Sequence, residues 1–310
     1  MRETFVRRLE DILLKNKKIH LLTADLGFGV FDNFEKKYPK NFLNVGVCEQ
    51  NMISVASGMS SVNKNVIFTY SIGNFATLRC LEQIRQDVCY HNKNVNIVSI
   101  GAGFSYGSLG GSHHMTEDIA IMRALPNIKV FVPSDDIEIK KIVDYVSTGV
   151  GPTYIRLDKS KPKKNLSNKK FNILKPRLIK KGELGYIFCS GGIVVEATKA
   201  IEKFNKSYNK KKNLFGLITI PNLSSDICDF LKKIKIQSKI MIVLEEHVKN
   251  GGVYGKICED LFSQNFIPKK IISFSLKNSK FTSVSGDQDF LRKINNLDSE
   301  HIFQKLKKIV

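Results

Sequence analysis

Apolar residues fall along this chain in short continuous runs separated by amphipathic stretches, the arrangement of a parallel sheet buried on both faces. In the first half the runs predict strands over 19–23 (IHLLT), 42–47 (FLNVGV), 66–70 (VIFTY), 95–100, 128–132 and 153–157 (TYIRL). Helical periodicity lies between them, over about 3–16, 31–38, 50–61, 76–91, 116–124 and 135–146, with Ser134-Asp135-Asp136 as a capped helix start. Lysine, proline, asparagine and serine then interrupt the alternation over 159–180, the composition of an exposed linker. The alternation resumes with strands at 185–189, 214–219, 239–244 and 271–275 and helices near 192–204, 224–235, 252–263 and 287–308. The fold class expected is α/β: two doubly wound domains, 1–158 and a smaller 181–310, joined by the basic linker.

Composition narrows the functional classes. The 310 residues carry a net charge of +20, mostly lysine spread along the chain, without the arginine and interleaved aromatics of a nucleic-acid surface. We expect no nucleic acid as partner. No apolar run reaches the length of a membrane span, and MRETFVRRLEDILLKNKK lacks an apolar signal core, so a cytoplasmic protein without membrane attachment is expected. The six cysteines sit singly in apolar stretches and read as buried reduced thiols.

Three places carry candidate chemistry. NVGVCEQNM (44–52) reads as a buried strand end running into Glu49 at the mouth of a helix rich in small residues. That placement desolvates a carboxyl group at least in part. GAGFSYGSLGGSHH (101–114) follows a strand. It fails the dinucleotide pattern because Tyr106 occupies the third glycine position, but it ends in His113 and His114. No third ligand is spaced to make those histidines a metal site. Glu246-His247 ends the run KIMIVLEE before VKNGGVYGK.

Taken in order, TADLG (23–27), NVGVCEQNMISVASGMS (44–60), FATLRCLEQIRQDVCY (75–90), GGSHHMTEDIAIMRALPNIKVFVPSDDIE (110–138), GPTYIRL (151–157) and VLEEHVKNGGVYG (243–255) resemble the transketolases and their relatives over nearly the whole chain. The resemblance implies a pyrimidine-binding transketolase-like domain followed by a transketolase C-terminal-like domain. It implies thiamine diphosphate as cofactor, with Glu49 hydrogen-bonded to N1′ of the aminopyrimidine. A desolvated carboxyl can share its proton with that ring nitrogen, promoting the imino tautomer that activates thiazolium C2. It further implies Phe75 as an aromatic against the pyrimidine, His113 as a proton-transfer or hydrogen-bonding group, and His114 and His247 as substrate contacts.

The G-D-G diphosphate and metal motif of complete transketolases is missing, since the only Gly-Asp is Gly286-Asp287. The resemblance is therefore to the C-terminal half of a split enzyme. It implies an N-terminal partner subunit that holds Mg2+ or a similar divalent ion, self-association as a dimer, an α₂β₂ whole, and small sugar substrates exchanging a two-carbon ketol unit. Val132, Leu109 and Gly101 replace the family's arginine, aspartate and histidine that serve sugar phosphates, which weighs against the ordinary pentose-phosphate role. The competing readings are a β-type subunit of a 2-oxo-acid dehydrogenase or decarboxylase and a noncatalytic scaffold.

Overall fold

The computed structural model describes residues 1–166, 170–208, 213–277 and 280–310, so positions 167–169 of the expected linker lie outside the described residues. The first sheet is wholly parallel, in the order β2-β1-β3-β4-β6-β5. Its strands are β1 (Ile19–Thr23), β2 (Phe42–Asn44), β3 (Val66–Ile72), β4 (Val95–Ile100), β5 (Lys129–Phe131) and β6 (Thr153–Leu157). Helices cover both faces. Phe5 and Leu9 of α1 (Arg2–Leu13), Phe34 of α2 (Asp32–Lys37) and Ile139 and Ile142 of α7 (Asp136–Val146) pack with Leu21, Phe68 and Val98. On the opposite face Met52, Ile53 and Ala56 of α3 (Glu49–Ser60) pack with Leu22, Ile67 and Ile97.

The segment expected as one helix over 76–91 is broken into pieces. These are α4 (Gly73–Ala76), a tight turn over Leu78–Cys80, α5 (Leu81–Gln83) and a π-helical stretch over Ile84–Tyr90. Helix α6 is Asp118–Arg123. The capped start holds: the Asp135 side chain accepts from the Glu138 N–H at 2.9 Å.

The second sheet has the order β11-β10-β8-β9-β7. Strands β8 (Gly185–Cys189), β9 (Phe215–Thr219), β10 (Ile240–Val248) and β11 (Lys270–Leu276) are parallel, and β7 (Arg177–Lys180) is an antiparallel edge. Thus residues 177–180, read from composition as linker, form a strand, and Arg177 and Ile173 are buried. The Arg177 guanidinium explains this burial. It donates to Asp135 at 2.9 Å and to Glu138 at 3.1 Å, pinning the connection to α7. Helices α8 (Val194–Tyr208), α9 (Cys228–Lys233), α10 (Val253–Ser263), α11 (Gln288–Ile294) and α12 (Ser299–Lys307) surround the sheet. The single helix expected over 287–308 is two, because Asp298 caps a new start at Ser299.

The two domains share a core. Phe188, Ile218, Val253 and Ile257 from the second half join the cluster that holds α3. Backbone hydrogen bonds join them as well, Val132 N–H to Pro221 C=O and Leu223 N–H to Val130 C=O, each 2.9 Å. Among the described residues no helix is long and apolar enough to cross a membrane. All six cysteines are free, but Cys48 is exposed and Cys258 partly so, unlike the uniform burial expected.

Candidate active site

The stretch leading to Glu49 departs from its sequence reading. β2 stops at Asn44 and is the edge of its sheet, so Leu43 is 40% exposed and Val47 74% exposed. Gly46 turns the chain in a left-handed conformation (φ +76°), and α3 begins at Glu49 itself. The apolar approach is therefore an open surface, yet Glu49 is buried, at 2% exposure. Burial comes from the other side. Arg79, on the turn after α4, donates from Nη1 to Glu49 Oε2 at 2.7 Å, and Ser71 at the end of β3 reaches Oε1 at 3.5 Å. A carboxylate in the first turn of α3 also faces the positive end of that helix dipole.

Arg79 joins Glu49 to the aromatic. Its guanidinium lies over the Phe75 ring, 4.2 Å from the centroid, while its side chain keeps 43% exposure. Phe75 in turn meets the His113 ring edge-on, with centroids 5.2 Å apart. Asn74 fixes that meeting: its amide donates to the carbonyls of Ser112 (3.2 Å) and His114 (2.9 Å), tying α4 to the histidine loop. His113 is half-buried, with Nδ1 3.0 Å from Ser112 Oγ. Burial, and secondarily the neighbouring His114, hold its pKa below the usual histidine value, leaving a neutral ring able to accept a proton. Glu49, Phe75 and His113 thus come together beyond the carboxyl ends of the parallel strands, where open α/β sheets bind ligands.

His114 and His247 do not join them. His114 is buried, with Nε2 3.3 Å from the Gly107 carbonyl and its ring edge-on to Phe104 at 5.1 Å. His247 has no exposed surface, with Nδ1 2.7 Å from the Val248 carbonyl and Nε2 3.9 Å from Asp118. Both positions, expected as substrate contacts, are buried in this chain and stand apart from the Glu49–Phe75–His113 cluster. Sequence reading missed Arg79, Ser71 and Asn74. A signal existed for Arg79, which follows Phe75 by four residues in FATLR. Among the described residues no group of three or more His, Cys, Asp or Glu is placed to hold a metal ion.

The buried His247 gives a pH prediction. Burial pushes its pKa down to about 4. The unfolded imidazole protonates near its ordinary value of 6.5, so between those values the unfolded chain binds more protons than the folded one. This contribution is complete above pH 6.5 and is lost as pH falls towards 4. In urea unfolding at pH 7 and pH 5, the wild-type midpoint should fall more than that of His247→Gln. Equal falls would refute a neutral buried imidazole.

Residues 1–164 match the family model described as the transketolase pyrimidine-binding domain. A chain of Methanocaldococcus jannaschii named as a transketolase C-terminal section is 33% identical, over 99% of this chain and 95% of that one. An apulose-4-phosphate transketolase subunit of Actinobacillus succinogenes is 30% identical, over 87% of this chain and 85% of its own length. Among solved structures, a split-gene transketolase described as an inactive beta4 tetramer superposes with a TM-score of 0.85 at 28% identity, covering 99% of this chain and 97% of that one. The chain belongs to the transketolase family and corresponds to its C-terminal section.

Proposed function

We propose that this chain is the C-terminal subunit of a two-subunit, thiamine-diphosphate-dependent transketolase that moves a two-carbon ketol unit between sugar-type substrates. The observation that carries the reading is Glu49, a buried carboxylate at a helix start paired with Arg79, which lies over Phe75, the ring that the half-buried His113 meets edge-on. That donor set suits an aminopyrimidine: an acid for a ring nitrogen, an apolar face for stacking and a neutral imidazole towards the reacting side. Thiamine diphosphate, when bound, supplies a thiazolium ring as electron sink.

The remaining steps belong to the chain. Glu49 holds or donates a proton towards the pyrimidine N1′. Phe75 offers its ring face once Arg79, half in solvent already, swings away from it. His113 accepts or returns a substrate proton. The diphosphate and a divalent ion such as Mg2+ fall to an N-terminal partner subunit, with two copies of each subunit in the whole. The names of relatives support a split enzyme and sugar substrates, since the Actinobacillus protein is one subunit of a transketolase named for a phosphorylated sugar.

The test is to purify the chain with the subunit it associates with in its host and supply a ketose donor and an aldose acceptor. Ketol transfer by the pair, and by neither chain alone, is expected. Decarboxylation of 2-oxo acids without transfer would overturn the reading. Light scattering is expected to give a particle of two copies of each chain. Within that complex Phe75→Ala should raise the cofactor dissociation constant by about tenfold, the worth of one aromatic stack. Unchanged affinity by calorimetry would remove Phe75 from the pyrimidine site.

A further inference from the structure

The loop that carries His113 is gripped by the second domain at several independent points. Its neck is closed by the paired backbone of Gly103 and Met115, with both hydrogen bonds 2.9 Å. Just inside that neck, the Phe104 N–H donates to Glu246 Oε1 at 2.6 Å, across 142 residues of chain. Glu246, at the end of β10, is itself fixed by an ion pair with Arg292 of α11, and both side chains are only 2% exposed. Gln288 adds a third contact, its amide reaching Glu246 (3.0 Å), Asp158 (3.3 Å) and Ser105 of the loop (3.4 Å). The Gly286 N–H donates to the Gly107 carbonyl at 3.3 Å.

These contacts account for two glycines whose presence in GAGFSYGSLGG the sequence leaves open. A Cβ at Gly103, whose φ is +58°, would lie 2.4 Å from Glu246 Oε1. At Gly107 it would lie 2.2 Å from Leu291 Cδ1 and 2.7 Å from the Gly286 carbonyl. The glycines admit side chains and backbone of the second domain.

We propose that Glu246, Gln288 and the 286–292 segment of the C-terminal domain are positioning residues that brace the histidine loop and so set His113 against Phe75. The inference rests on the reading of His113 as a site residue. Buried, mutually paired groups such as Glu246 and Arg292 hold one geometry because any displacement leaves a charge unpaired. A misplacement of the loop by an ångström is enough to cost turnover while leaving cofactor contacts intact.

The experiment compares wild type with Gln288→Ala, a half-exposed position at the start of α11, and Gly107→Ala. In the isolated chain, hydrogen exchange over 101–115 should quicken about tenfold in both variants, with β4 and α8 amides unchanged. In the complex with the partner subunit, kcat should fall while the cofactor dissociation constant stays at the wild-type value. Loop exchange at the wild-type rate in Gln288→Ala, or a loosened loop with wild-type kcat, would overturn the brace. Absence of ketol transfer by the wild-type complex would count against the transketolase reading instead, and loop exchange would then decide the brace by itself.

Discussion

Glu49→Gln should leave the chain folded and lower the turnover of the reconstituted enzyme by roughly a hundredfold or more, the scale of losing a positioned proton-sharing group. Glutamine matches glutamate in shape and still accepts a hydrogen bond from Arg79. What it cannot do is hold a transferable proton opposite a pyrimidine nitrogen. Folding should survive because the partner charge is not trapped: the Arg79 side chain is 43% exposed and can turn to water. The fold does lose a negative charge from the first turn of α3, worth about 0.3–1 kcal/mol at such a position. A glutamate present only to start the helix would give that small loss of stability with turnover untouched. Thermal melting and ketol-transfer kinetics together separate the two cases, and near-normal activity of Glu49→Gln would sink the assignment.

The second large effect concerns the partner. Isolated, the chain should bind thiamine diphosphate weakly, and what binding there is should fade with salt. The cofactor's negative charge is concentrated on its diphosphate, which calls for a divalent cation held by hard oxygen ligands. On the proposed reading Glu49, Phe75 and His113 serve the pyrimidine and the reacting side, leaving that charge to general attraction by a surface of net charge +20. Attraction of that kind is screened over about 10 Å at 0.1 M salt. Addition of the partner and Mg2+ should convert it to tight, salt-resistant binding. Calorimetry on the isolated chain that found tight magnesium-dependent binding would mean that this chain carries its own diphosphate site, and the split reading would fail.

Much of the architecture was legible because buried parallel strands are continuous apolar runs. Strands β1, β4, β6 and β8 occupy the spans their residues predict. The misreadings have physical causes. FLNVGV is apolar like a buried strand, but β2 is the sheet's edge, so its apolar side chains meet solvent. KIMIVLEEHV looks finished at Leu244 because three polar residues follow, yet β10 runs to Val248. Glu245 is accommodated by backbone N–H groups of Val253 and Tyr254, and Glu246 by Phe104 and Arg292. Periodicity joins 76–91 into one helix, whereas at Thr77 (φ −122°, ψ −80°) the backbone breaks the helix and brings Arg79 back over Phe75 towards Glu49.

Order and identity of residues were enough to establish the two α/β halves and the family, through an ordered set of motifs, and to single out Glu49 as a candidate. These are local properties, written in periodicity and in side-chain type. Packing in three dimensions was needed to tell which histidine faces Phe75 and which are walled in. The same holds for the pairing of Arg79 with the buried acid and for the two loop glycines that make room for the second domain. Those outcomes depend on contacts across 30 to 142 residues of chain, and such contacts follow from how loops, helices and sheets pack in three dimensions rather than from any local pattern.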